Sequence, residues 1–413
     1  MRSLLSLALL LPLPAMAEDW LPAGLDIGGQ VGVELRVFPQ APLFAGQFEH
    51  VQPSIFAEPE IEWQSEDRDT QFRFVPFLRL DGQDEERTHF DVRELYLSQD
   101  FGEVEVLFGA NRVFWGVTES RHLVNIINQI DQVEDVDEED FLGQPMLNVG
   151  IQTDLGRVDA FFMTGFRDRT FAGIDGRLRT PAPVDTERGR FESDLGRWRP
   201  EFALRYSHFI GAFDIGAHVF HGTGREPVLV TNADGSLVPR YDVITQGGLD
   251  LQYTTDATLW KFEGLIRAGQ GDVFGAVVAG VEYTFFGAFD SDADIGLLAE
   301  GLFDGRDATT DLTAEDVALG GVAAQVFPTT FEHDVFLASR LTLNDVQDTA
   351  VLGGIVIDTQ DGAQGLRLEA ERRLGQSWKI ELEAQVTLEQ DSTAPAGLLR
   401  RDSFVTTRLS KFF

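Results

Sequence analysis

Eight carboxylates crowd the stretch from Val113 to Pro145: Glu119, Asp131, Glu134, Asp135, Asp137, Glu138, Glu139 and Asp140, with Arg121 as its one Lys or Arg. Acids at this density either attract cations or simply solvate a surface loop. Asp135, Asp137 and Glu139 alternate as in a calcium loop, but no Gly follows where such a loop must turn sharply, which excludes an EF-hand. The next irregular stretch is basic instead: Arg167, Arg169, Arg177, Arg179, Arg188, Arg190, Arg197 and Arg199 lie in or beside 168–198. Acids and guanidiniums can face each other across a water-filled space, where the field between them sorts polar solutes. The plainer alternative pairs the arginines with Asp168, Asp175, Asp185, Glu187, Glu192 and Asp194 of their own loop. His218 and His221 have a three-residue spacing that, on a strand, puts the imidazoles on opposite faces, so they share no metal. With no Cys and no His–Ser pairing of the hydrolase kind, the sequence leads us to expect no catalytic set, metal or cofactor.

The residues that would position these charges begin with an address. Arg2, the apolar stretch Leu4 to Leu13 and the small-x-small site Ala15-Met16-Ala17 read as a cleavable signal peptide over 1–17, too short to cross ~30 Å of hydrocarbon as a helix. Residues 18–413 then form a single exported domain, and no later segment has the apolar length of a spanning helix. A net charge of −35 excludes nucleic acid as a partner. Thirty-three Phe and 41 Gly against four Met suit strands with aromatic outer faces.

From Gly24 onward the period is two. In Lys379-Ile380-Glu381-Leu382-Glu383-Ala384-Gln385-Val386-Thr387-Leu388 every apolar residue has one parity, and Leu366 to Glu371 and Gln71 to Phe74 repeat the pattern. Short turns alternate with long connections: 99–102, 154–157, 210–214, 254–257, 344–348 and 374–377 against 113–145, 168–198, 223–239, 304–330 and 390–401. A sandwich has no reason to sort its loops this way, whereas a transmembrane barrel with short periplasmic turns and long extracellular loops does.

The expected fold is therefore all-β, a closed antiparallel transmembrane β-barrel of about 18 strands, with 16 the other even count. The strands fall near 24–37, 52–64, 70–80, 88–99, 102–112, 146–155, 157–167, 199–210, 213–222, 241–254, 257–268, 275–286, 293–303, 331–343, 349–358, 364–374, 377–389 and 402–413. Residues 317–326 alternate poorly and could form a strand of their own, but counting it alone would break the parity, so they are placed in the seventh outer loop.

With the strands placed, Arg93-Glu94-Leu95-Tyr96-Leu97, Phe108-Gly109-Ala110-Asn111-Arg112-Val113-Phe114-Trp115-Gly116, Asn344 to Thr349 and Arg372-Arg373-Leu374-Gly375 resemble the porin superfamily. Within it the chain is most similar to proteobacterial porin-like barrels of undefined substrate. The resemblance implies a Gram-negative outer-membrane location and a third loop, 113–145, folded into the lumen as a constriction. The final strand, ending in Phe413, resembles the signal read by the barrel assembly machinery, with Lys411 a departure from the usual apolar residue.

Charges on a lipid-facing surface are costly, so the strand charges must point inward. Arg73, Arg79, Arg205, Lys261, Arg267, Arg367, Lys379 and Arg408 then line a wet lumen with Glu105, Glu201, Asp250, Glu263, Glu282, Glu369, Glu381 and Glu383. Arg73, Arg79, Arg167, Arg169 and Arg205 are the basic residues expected to oppose the acidic loop. Two functions fit: a porin-like channel for small hydrophilic solutes, and a structural or adhesive barrel whose lumen is plugged and whose outer loops bind a partner. Expected partners are outer-membrane lipid and lipopolysaccharide, the assembly machinery and the solute itself, with the chain a monomer or trimer. Mass spectrometry of the membrane-inserted protein should give a chain starting at Glu18, and a mass that retains 1–17 would overturn the signal-peptide reading.

Overall fold

The computed structural model describes residues 22–134, 138–307, 309–326, 332–360, 362–388, 397 and 399–413. The segment read as a signal, and Asp135 and Asp137, lie outside them. The strands are β1 (Leu25–Val37), β2 (Val51–Gln64), β3 (Thr70–Asp81), β4 (His89–Asp100), β5 (Val104–Asn111), β6 (Gln144–Thr153), β7 (Gly156–Met163), β8 (Arg190–Phe191), β9 (Glu201–Ile210), β10 (Phe213–Thr223), β11 (Val228–Asn232), β12 (Leu237–Tyr241), β13 (Val243–Thr254), β14 (Thr258–Ala268), β15 (Phe274–Phe285), β16 (Asp294–Asp304), β17 (Gly321–Val326), β18 (His333–Thr342), β19 (Ala350–Asp358), β20 (Gln364–Leu374), β21 (Trp378–Thr387) and β22 (Phe404–Phe412).

Eighteen of these form one antiparallel sheet in which each strand pairs with its neighbours in sequence. The sheet closes where β22 returns to β1, with Gln30 opposite Phe412 and Val37 opposite Val405. The expected barrel is thus present at the higher of the two counts. Residues 321–326 stay out of the wall, as parity required. They pair with β11 in a second sheet, ordered β17-β11-β12-β8, built from connections that the sequence had marked as irregular. Its core of Val228, Val230 and Ala324 explains why that segment is apolar without being a barrel strand.

Alternation now has a physical meaning. Val33, Leu35, Ile55, Leu95, Leu97, Phe162, Phe202, Leu204, Val219, Trp260 and Ile266 point outward and are exposed, while intervening residues such as Glu34, Arg79, Asp250 and Glu263 are buried inside. Among the described residues no helix is long and apolar enough to cross a membrane. The apolar outer belt carries aromatic pairs at the turn end, Phe213 with Tyr253 and Tyr283 with Phe285, their centroids 4.5 and 4.8 Å apart. Phe162 with Phe202, at 5.4 Å, marks the loop end. Such girdles suit the two faces of a bilayer.

At the closing seam, Phe413 donates its backbone N–H to the Gly29 carbonyl at 3.2 Å. Gly29 has φ +130°, and a Cβ there would collide with the Glu58 carbonyl and the Pro59 backbone of β2. Gly29→Ala should therefore cost about 1–3 kcal/mol. The temperature at which the folded band on gels converts to the unfolded one should fall, and an unchanged temperature would contradict the close approach of β1 and β2 at Gly29.

Candidate functional site

The connection between β5 and β6, described over residues 112–134 and 138–143, folds into the barrel, and apolar side chains hold it there. Trp115, Val124, Ile126 and Ile127 pack against the inward residues Leu107, Met146, Phe161, Met163, Ala203, Phe220 and Ile244. Leu123 joins a second inner cluster with Leu265, Phe274, Leu298 and Phe336. Each such burial is worth about 1.5–3 kcal/mol relative to exposure. At the base of the loop, Asn128 bridges the limbs: its Oδ1 accepts the Val113 N–H at 2.8 Å, and its Nδ2 donates to the Asn111 and Leu142 carbonyls at 2.7 and 2.9 Å.

Two carboxylates of the wall hook the loop tip. Glu263 on β14 accepts N–H groups from Val117 (2.7 Å), Thr118 (3.0 Å) and Val124 (3.1 Å) as well as the Thr118 hydroxyl (2.7 Å). Glu300 on β16 accepts those of Glu119 (2.9 Å) and Ser120 (2.8 Å). A buried carboxylate is tolerated when donors fill its lone pairs, and here backbone groups that would otherwise be orphaned fill them. Arg121 then pairs with Glu226 at 3.1 Å and Asp304 at 3.2 Å. Burial opposes ionisation of Glu226, yet Arg306, Arg267 and Arg121 hold its carboxyl well below the usual range.

The returning limb meets the opposite wall through ion pairs. Arg79 grips both oxygens of Glu134 at 2.5–2.8 Å. Arg93 holds Asp131 at 2.7 Å, and the Thr170 hydroxyl donates to the same carboxylate at 2.8 Å. Behind them Glu34 receives Arg79 at 3.3 Å, Arg87 at 2.7 Å and Arg408 at 2.9 Å. Burial opposes a charge on Asp131, but His89 and Arg93 outweigh it and keep the carboxyl below its ordinary range.

His89 donates Nδ1–H to the Arg87 carbonyl at 3.1 Å, which leaves Nε2 facing Asp131 at 3.3 Å and Glu134 at 3.5 Å. Among the described residues this trio has the spacing of a metal site. Arg93 and Arg79 already engage both carboxylates, however, so the donor set is committed to guanidiniums and does not fit a metal.

The acids singled out in the sequence therefore divide. Asp131 and Glu134 are buried and paired, while Glu119, Glu138, Glu139 and Asp140 keep contact with solvent. Glu119 meets Arg340 at 2.5 Å and Lys261 at 3.6 Å, and Glu138 meets Arg169 at 2.6 Å. Glu139 is 49% exposed, 3.8 Å from His122.

Of the basic set, Arg79 and Arg169 touch the loop acids directly. Arg167 pairs with Asp91 at 2.6 Å and reaches the Gly143 carbonyl at 3.4 Å. Arg205 grips Asp250 at 2.8 Å with its guanidinium 4.8 Å above the Trp115 ring. Arg73 lies toward the turn end among Glu60, Glu62 and Glu94, away from the loop. In the connection 168–198, Arg197 with Asp168 and Arg188 with Asp185 pair within the loop, whereas Arg177 pairs with Asp402 of another loop at 2.5 Å.

Sequence reasoning missed Trp115, Glu263 and Glu300 as anchors. The run Leu123-Val124-Asn125-Ile126-Ile127 was the available signal, since so apolar a segment within a polar loop must pack on something. The inward residues Arg340, Arg367, Glu369, Lys379 and Glu381 of β18, β20 and β21 stay partly exposed, so solvent reaches this wall, where Arg340 and Arg367 meet Glu119 and Glu139 of the loop.

No protein-family model and no curated protein matches the chain. Among solved structures it is similar to Wzi, an outer membrane protein involved in group 1 capsule assembly in Escherichia coli and described as a carbohydrate-binding β-barrel. That likeness has a TM-score of 0.54 and 9% identity, covering 94% of this chain and 84% of that one. A mutant porin of Rh. blastica aligns over 94% of this chain and 100% of its own at a TM-score of 0.43 and 8% identity. At such identities the shared feature is the fold, an outer-membrane type of β-barrel.

His122 gives the loop a titratable contact, lying 3.8 Å from both Glu139 and Glu263 with the Phe114 ring against it. Burial disfavours the imidazolium, but the two carboxylates outweigh it and raise the group from 6.5 to about 9. Its stabilising contribution is therefore complete below about pH 6.5 and lost as pH rises through about 9. An NMR titration of His122 should have its midpoint near 9 and move down in Glu139→Gln, whereas a midpoint at the ordinary value in the native chain would refute the contact.

Proposed function

We propose that this chain is an outer-membrane, porin-like channel for small hydrophilic solutes, with residues 112–143 as its constriction. The observation that carries the reading is the loop itself, anchored on Glu263 and Glu300 while the charged wall of β18 to β21 stays wetted. Solutes would pass along the wetted residues of β20 and β21 beside Glu138 and Glu139, because Glu119 is tied to Arg340 of β18. Tight turns then face the periplasm, the long loops face outward, and the apolar belt meets lipid, with lipopolysaccharide at the loop end. The strand ending in Phe413 is the segment offered to the barrel assembly machinery after export. We infer no catalysis and no cofactor.

A second reading is favoured by Arg177, which is buried and ties three loops together. It reaches Asp402 at 2.5 Å, the Glu49 carbonyl at 2.7 Å and the Gln40 carbonyl at 3.3 Å. A mouth knitted in this way suits a plugged barrel whose outer loops bind a carbohydrate, the class of ligand named for Wzi. Planar bilayers separate the two, because discrete ion-permeable steps support the channel and a silent bilayer with correctly folded protein supports the plug.

Selectivity follows from which acids meet water. Fixed charges act over about 8–10 Å at physiological salt, so only those beside the path matter. Combined Glu119→Gln, Glu138→Gln and Glu139→Gln should lower cation preference, most at low ionic strength. Asp131→Asn or Glu134→Gln should instead cost about 1–3 kcal/mol of stability, because each takes one charged partner from a buried guanidinium that keeps only Asp91 or Glu34. An unchanged reversal potential in the triple variant would remove the loop from the conducting path.

A further inference from the structure

The loop end of β18 and β19 carries a group of acids that the constriction does not use. Asp334 and Asp358 sit directly opposite each other in register. Both share the inward face of Phe336, a residue of the second inner cluster. Asp334 is 3% exposed, and its Oδ2 has no hydrogen-bond partner. Asp358 is half-buried and accepts the Gln360 N–H at 2.6 Å. Glu332 immediately precedes β18 at this same end, where its carbonyl accepts the Asp304 N–H at 2.8 Å.

Among the described residues, Arg306 and Arg121 at this end of the barrel are engaged by other acids. Arg306 is held by Asp304 at 2.7 Å and by Glu226 at 3.1 Å, and Arg121 is shared between the same two acids. His333 has the opposite parity, and its ring packs edge-on to Phe303 at 5.0 Å. A bare carboxylate oxygen in so dry a position is costly without a positive partner.

We propose that Asp334 and Asp358 bind a divalent hard cation of the Ca²⁺ type, which ties the outer ends of β18 and β19 together. Side chains directly opposite in an antiparallel pair have Cβ atoms about 4.5–5.5 Å apart, and Ca²⁺ takes oxygens at about 2.3–2.6 Å, so one ion can bridge the two carboxylates. An all-oxygen donor set selects Ca²⁺ or Mg²⁺ over the metals that prefer nitrogen or sulfur, with water filling the remaining positions. The ion would supply the charge that Asp334 lacks and would hold the base of the 305–332 loop beside the hairpin. The inference stands apart from whether the barrel conducts.

The test is ⁴⁵Ca²⁺ equilibrium binding to the full-length protein in detergent, at about 0.15 M salt to suppress diffuse attraction by the acidic surface. Native protein should bind one ion saturably and melt at a higher temperature with Ca²⁺ than with chelator. Asp334→Asn and Asp358→Asn should each weaken binding at least about tenfold and abolish the Ca²⁺-dependent melting shift. Glu66→Gln, an exposed acid in a turn, should change neither. Equal binding by all four proteins, or no saturable binding by the native one, would overturn the proposal. So would an Asp334→Asn variant more stable than the native chain in both Ca²⁺ and chelator, because that result means the two acids share a proton.

Discussion

Backbone hydrogen bonding is the constraint on which the rest of this molecule depends. In a hydrocarbon environment each unpaired N–H or C=O costs several kcal/mol, and a sheet can satisfy them all only by closing on itself. The pairing of β22 with β1 achieves this, and Gly29 sits where two backbones must approach too closely for a side chain. Once the sheet is closed there is an inside and an outside. The period-two pattern then assigns every residue to lipid or lumen, and the inner charges must find partners.

The interior meets that demand with paired ions rather than with a uniform aqueous bore. Glu34 is shared by Arg79, Arg87 and Arg408, and Glu226 by Arg121, Arg267 and Arg306. Into this lattice the 112–143 loop brings two acids, Asp131 and Glu134, that complete the set around Arg93 and Arg79. It also brings a tip whose free N–H groups are what Glu263 and Glu300 need. Loop and wall are therefore interdependent, since removing either strands buried charge in the other. This mutual need makes the loop a fixed part of the lumen, and it leaves the β18 to β21 side as the wetted surface.

The acidity of 113–145 meant less than its composition suggested. Eight carboxylates in a stretch imply a strong negative field, but a field depends on which charges are compensated. Glu134 lies against Arg79, a residue distant in sequence, and Asp131 against Arg93. Their charge is cancelled by geometry that no local pattern encodes. Glu139 and Glu119, of the same residue type and in the same loop, remain at the water boundary.

Sequence alone determined the architecture, because strand parity, turn spacing and inward charge are local consequences of an apolar surround. The eighteen strands, the exclusion of 317–326 from the wall and the inward direction of Arg205, Glu263 and Lys261 could all be read from it. Its irregular stretches were less legible: 223–239 and 304–330 hold strands of the small outer sheet, whose pairing joins segments far apart in the chain. Only the tertiary structure decided which carboxylates are buried, that Trp115 and Leu123 anchor the loop, and that Asp334 stands opposite Asp358 with its Oδ2 lacking a hydrogen-bond partner. Those outcomes rest on side chains brought together by closure of the barrel, and the free energy of a charge is set by its three-dimensional neighbours rather than by the residues beside it in sequence.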